Sequence, residues 1–215
     1  MKIIITGSTG TVGSEVVRQA VADDDIKEII LVARNPSSTM HPKIRQVIHK
    51  DFLKYNGLEN IFLEADACIW CLGISQTRVT KADYFKITYE YAVAAARAMI
   101  AVNPSISFVF LSGQGADSSE KSSVRFAKVK GQTENALQKL NLKKLIILRP
   151  GGIYPVSKST NTSVYKKAEL AFIRLMKVIV PSTVINTDVL AKAMLKSIKQ
   201  HSGQIIINHN EIRLY

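Results

Sequence analysis

The sequence predicts the α/β class: a single doubly wound domain with a central parallel sheet of about seven strands flanked by helices. Three observations predict it. Short β-branched apolar runs alternate with longer stretches of helical period, as in βαβ units. Several of the short runs are continuously apolar, which suits strands covered on both faces. The chain has 215 residues, 47% hydrophobic and 21% charged, enough for one sizeable core and too few for a second.

The elements follow in order. Strands are expected at Lys2–Thr6, Glu28–Val32, Ile44–His49, Ala67–Leu72, Ser107–Ser112, Leu145–Arg149 and Gln204–Asn208. Helical periodicity marks Val12–Ala22, Asp83–Val102, Phe126–Leu140 and Thr187–His201, with Asn103-Pro104 ending the second helix. Parallel strands joined by right-handed crossovers gather their C-terminal ends along one edge. The loops beginning at residues 7, 33, 73, 112 and 150 are therefore expected on one face, and function is expected there.

The formal net charge of +12 is uneven: residues 1–120 hold 12 basic and 13 acidic groups, whereas 121–215 hold 17 and 4. A one-signed half can steer an anionic ligand or an acidic protein partner. It has no aromatic-interleaved platform or recognised motif, so nucleic acid is not an expected partner. The apolar run before the polar Thr6, Ile3 to Ile5, has only three residues, too few for a signal-peptide core. No segment approaches the roughly 20 apolar residues of a membrane span. A soluble cytoplasmic protein is expected, with the nucleus as a further compartment.

Cys68 and Cys71 form a Cys-x-x-Cys. Inside a strand, positions i and i+3 face opposite ways about 10 Å apart, which forbids a disulfide. His41, His49, His201 and His209 show no ligand spacing beside the pair, so no metal site is expected.

The first strand ends in Thr6-Gly7-Ser8-Thr9-Gly10-Thr11-Val12-Gly13 and runs directly into a helix. Glycines permit the tight turn and a close backbone approach, and the free amides and positive helix end favour a pyrophosphate. Dinucleotide binding is expected. A site for NAD commonly places an acid after the second strand to hold the ribose 2′-hydroxyl. Here the position is Arg34, whose guanidinium suits a 2′-phosphate, so NADP(H) is expected in preference to NAD(H). By the same end-of-strand logic Asp51 and Phe52 are candidates for contacts to adenine.

These segments, together with Leu31-Val32-Ala33-Arg34, Cys71-Leu72-Gly73, Leu111-Ser112, Val129-Lys130-Gly131 and Leu148-Arg149-Pro150-Gly151, resemble the atypical short-chain dehydrogenase/reductases. The nearest resemblance is to the NmrA-like subgroup and its tumour-suppressor oxidoreductase relatives. It implies a Rossmann-type NADP(H)-binding subunit and an oxidoreductase of a small carbonyl-type substrate. It also implies that Leu72 and Gly73 lie on the adenosine-ribose side, with Arg149, Pro150 and Gly151 shaping the nicotinamide end. Active members use a serine, a tyrosine and a lysine four residues after the tyrosine. The phenol supplies a proton, the ammonium lowers the phenol pKa and holds the ribose, and the serine orients the substrate oxygen.

Ser112 and Lys130 match this pattern, but Phe126 stands at the tyrosine position, and a phenyl ring has no proton to give. Tyr154 and Tyr165 are the candidate replacement acids. An alternative expectation is an NADP(H)-sensing regulatory or scaffold protein that binds a macromolecular partner. Residues 152–185, with a polar stretch from Ser157 to Ser163 followed by Lys166-Lys167, are the expected variable segment for substrate or partner.

Overall fold

The structure, a computed structural model, describes residues 1–156 and 181–215. In chain order its elements are β1 (Lys2–Thr6), α1 (Thr11–Ala22), β2 (Glu28–Ala33), β3 (Ile44–Ile48), α2 (Glu59–Glu64), β4 (Ala67–Trp70) and α3 (Lys81–Phe85). A π-helical turn (Lys86–Glu90) leads into α4 (Tyr91–Val102), β5 (Ser107–Leu111), α5 (Arg125–Lys139), β6 (Lys144–Arg149) and β7 (Gly152–Tyr154). After the undescribed residues come a 3₁₀ turn (Pro181–Thr183), β8 (Val184–Asn186), α6 (Thr187–Gln200), β9 (Gly203–Asn208) and α7 (His209–Ile212).

Seven strands form one sheet in the order β3-β2-β1-β4-β5-β6-β9, and each pairing is parallel. The sheet has the expected class and strand count. The three isoleucines of β1 show why its strands are continuously apolar. Ile3 and Ile5 enter the layer packed by α1 and α6, while Ile4 enters the layer packed by α2, α4 and α5. All three are fully buried, and burying such a side chain contributes about 1.5–3 kcal/mol. Strand order reverses between β1 and β4, opening a crevice at the C-terminal strand ends. The loops that follow Thr6, Ala33, Trp70, Leu111 and Arg149 meet along this edge.

Several expected boundaries are corrected. His49, Leu72 and Ser112 lie past the strand ends. Cys71 does too, and its backbone turns against Gly7 instead of continuing the ladder. The helix expected over Asp83–Val102 begins at Lys81, with Thr80 Oγ1 accepting from the Asp83 amide at 3.1 Å. It is also interrupted by the π turn, where the Thr88 carbonyl accepts a hydrogen bond from Thr133 Oγ1 at 3.4 Å. A widened turn inserts one residue without interrupting an apolar run, so periodicity does not register it. The short α2, the separate β7–β8 ribbon and α7 were not expected.

Cys68 and Cys71 are free thiols packed into opposite layers of the core. Burial pushes the Cys71 thiol up to about 12 against the pull of Lys130. No helix among the described residues is long and apolar enough to cross a membrane.

Candidate functional site

The crevice begins at the turn after β1. Gly7 has a φ of +67°, and a Cβ there would lie 2.7 Å from the Cys71 carbonyl, so both conformation and space require glycine. Its carbonyl accepts from the Gly10 amide at 2.9 Å. A Cβ on Gly13 would stand 2.2 Å from that same carbonyl. Close approach of turn and helix thus depends on Gly13 having no side chain.

Gly10 caps α1 without a side-chain hydrogen bond, and the first turn carries no acid. The opening amides, those of Thr11, Val12 and Gly13, have no intrahelical acceptors. Ser8 is buried while Thr9 and Gly10 are exposed. Two buried hydroxyls beside the turn, Thr6 Oγ1 and Ser8 Oγ, have no hydrogen-bond partner. Uncompensated donors beside a turn packed this tightly against the start of a helix fit a pyrophosphate.

Arg34 lies exposed one residue beyond β2. Asp51 is exposed, its carboxylate accepting from the Leu53 amide at 3.0 Å. Phe52 is only 2% exposed, its ring packed against His49, Tyr55, Trp70 and Tyr91. From this turn the Asp51 carboxylate and the backbone are open to a ligand, while the Phe52 ring belongs to the core. Leu72 is half-buried and Gly73 exposed at the end of the β4 segment.

The second half of the crevice is built from the ends of β5 and β6 and from α5. Lys130 is in the second turn of α5. It is half-buried, donates to the Leu111 carbonyl at 2.7 Å, and sits 4.7 Å above the Phe110 ring. Desolvation brings its pKa down to about 8, although Glu134 and Cys71 oppose the shift.

Phe126 occupies the position one turn before Lys130. Its amide donates to Gln76 Oε1 at 2.9 Å, and the tip of its ring would lie 2.5 Å from a Cβ on Gly113. The chain therefore brings Ser112, Gly113, Phe126 and Lys130 into one corner. Tyr154 is half-buried on the β7–β8 ribbon; Tyr165 and the stretch from Ser157 to Lys167 lie outside the described residues.

Sequence reasoning missed three participants. Glu134, on α5, is fully buried and accepts from both Ser112 Oγ and the Arg149 guanidinium. Gln76 holds the start of α5 through its side chain and through its carbonyl, which accepts from Arg125 at 3.3 Å. His209 accepts at Nδ1 from the Gly151 amide at 2.9 Å, fixing the loop where Pro150 is buried and Gly151 half-buried. Glu134 did leave a signal: it is one turn after Lys130 and three residues before Leu137, in phase with the buried face of α5.

Comparison with known proteins places these features among relatives. The family model described as NAD(P)H-binding matches residues 7–201. Protein FMP52, mitochondrial, of Lodderomyces elongisporus is 33% identical over 162 residues, 69% of this chain and 65% of that protein. Leucinostatins biosynthesis cluster protein T of Purpureocillium lilacinum is 30% identical over 71% of this chain and 58% of its own length. The chain thus spans less than two thirds of the first curated relatives it matches. Gre2 of Candida albicans, solved in complex with NADPH, superposes with a TM-score of 0.75 at 14% identity, covering 97% of this chain and 78% of that one. At that identity the likeness is one of fold.

The expected cytoplasmic location is corrected by these matches. The L. elongisporus relative is named as mitochondrial, a designation shared by matches from Kluyveromyces lactis and Candida albicans. An apolar count before Thr6 does not bear on mitochondrial delivery.

Proposed function

We propose, from the premise that this chain belongs to the NAD(P)H-binding family, that it is an NADP(H)-dependent oxidoreductase of a small carbonyl-type substrate. Its turnover is slow because Phe126 stands where the proton-donating tyrosine is expected. The observation that carries the cofactor reading is the turn after β1. Gly7 and Gly13 let the turn close against the Cys71 backbone and the start of α1, and the charge of a pyrophosphate would meet the unpaired amides of α1 beside the unpartnered hydroxyls of Thr6 and Ser8. When bound, the nicotinamide would supply the hydride.

The chain's own residues would do the rest. Arg34, exposed beside the β2 end, would pair with a 2′-phosphate. Lys130, anchored on the Leu111 carbonyl, would hold ribose hydroxyls with its remaining N–H groups. A positioned acid typically contributes about 10² to 10⁴ in rate, so its loss leaves a site that binds better than it turns over. Phe126 also favours a second reading, in which cofactor occupancy alters a surface read by a protein partner. Mitochondrial residence, as in the FMP52 proteins, belongs to the same proposal.

The test is equilibrium titration of purified protein with NADPH and NADH, repeated on Arg34→Ala. Preference for NADPH by about tenfold or more, lost in the variant, is the expected result. Equal affinities in the wild type would refute the assignment of Arg34. Binding of neither would refute the cofactor reading itself.

A further inference from the structure

The carboxylate of Glu134 is fully buried and surrounded by donors. Arg149 Nε lies 3.1 Å from each oxygen, Arg149 Nη2 donates to Oε2, and Ser112 Oγ donates to Oε1. The same Nη2 also reaches Ser118 Oγ at 2.9 Å. An arginine remains protonated, and the carboxylate paired with it can only accept. The proton between Ser112 and Glu134 is therefore the serine's.

We propose that Glu134 is a positioning residue that accepts the Ser112 hydroxyl hydrogen bond, so that Ser112 offers a ligand only lone pairs and the site favours a hydroxyl over a carbonyl. This rests on the reading of the crevice as a nicotinamide site. Lys130 does not undo the preference, because its spare N–H groups serve either oxygen equally. A hydroxyl can accept from Lys130 and donate to Ser112. A carbonyl can only accept, and would set its second lone pair against those of Ser112.

The isosteric variant Glu134→Gln separates positioning from support. Arg149 can only donate and so holds the amide oxygen, which turns the amide N–H₂ toward Ser112. Ser112 then accepts from the amide and releases its own proton to the ligand, reversing the polarity of the corner.

The experiment uses the full chain saturated with NADP⁺ and two probes in ligand-observed NMR titrations. They are 1-methylcyclohexanol, which has no carbinol hydrogen to lose, and cyclohexanone. The wild type is expected to bind the alcohol about tenfold more tightly, the worth of one well-placed hydrogen bond. Glu134→Gln is expected to reverse that order, and Ser112→Ala to abolish it. Equal affinities, binding of neither probe, or an unchanged order in Glu134→Gln while NADP⁺ remains bound would overturn the inference and leave the cofactor reading standing. Failure of the wild type to bind NADP⁺ overturns both. If Glu134→Gln does not fold, Ser112→Ala decides: a preference that survives it is not set by Ser112.

Discussion

The ammonium of Lys130 is enclosed by the Phe110 ring and the Leu111 carbonyl, and the loss of water lowers its pKa from 10.5 to about 8. That shift makes stability depend on pH with a definite sign. Between about 8 and 10.5 the unfolded chain holds a proton on this amine that the folded chain does not, so stability rises with pH across the window. Below about 8 both states are protonated and the cost of burial is constant. Denaturant unfolding at pH 7.5 and pH 10 should show wild type gaining on Lys130→Met at the higher pH. An unchanged difference between the two proteins would mean that the amine keeps its ordinary proton affinity. Ser112 and Lys130 were singled out because each lies in a short segment, Leu111-Ser112 and Val129-Lys130-Gly131, that resembles the family's own. Glu134 was not, because its partners Ser112 and Arg149 are 22 and 15 residues away and meet it only once β5 and β6 are side by side.

Helix α1 cannot back away from the turn it follows. Its Gln19 donates to the Asp188 carbonyl of α6 at 2.9 Å, and Val16 and Ala20 are fully buried in the layer between the two helices. A methyl group on Gly13 would press on the Gly7 carbonyl with nowhere to go. Gly13→Ala is expected to cost about 1–3 kcal/mol, as overpacking does, and to weaken NADPH binding as the helix N-terminus shifts. A melting curve and a titration on the same sample check both effects, and unchanged values of both would refute the claimed contact. Legibility at this scale followed length and environment. The sheet strands read clearly because burial on both faces leaves a continuous apolar run. In contrast, β7 and β8 have three residues each and pair across roughly 30 residues of chain, too short and too distant for a local pattern. The six-residue α2 buries Phe62 alone and shows no stripe.

Across the whole molecule the cofactor crevice lies where the two halves of the sheet diverge, so a ligand there touches both. Binding that is confined to the folded state stabilises it by about 2.7 kcal/mol at a hundredfold excess over Kd. For a chain of this size that corresponds to a rise in Tm of about 5–11 °C, expected with NADPH in thermal unfolding; no rise at saturating NADPH would mean that binding does not couple to the fold. The strand order also has a consequence for how the molecule is made. Of the sheet's seven strands the earliest made is central, and each later one is laid against a neighbour already present: β2 on β1, β3 on β2, then β4 on the other flank of β1, and β5, β6 and β9 outward in turn. No strand has to be wedged between two that have paired. The two rims fare differently during synthesis. β3, at the edge of the sheet among the described residues, is partly exposed along its length, as suits an edge strand. β6 is apolar from Leu145 to Leu148, essentially without exposure in the finished fold, and stays open until translation has passed through residue 208. In that interval the nascent chain is most prone to stick to its neighbours, and a chaperone's protection would matter most.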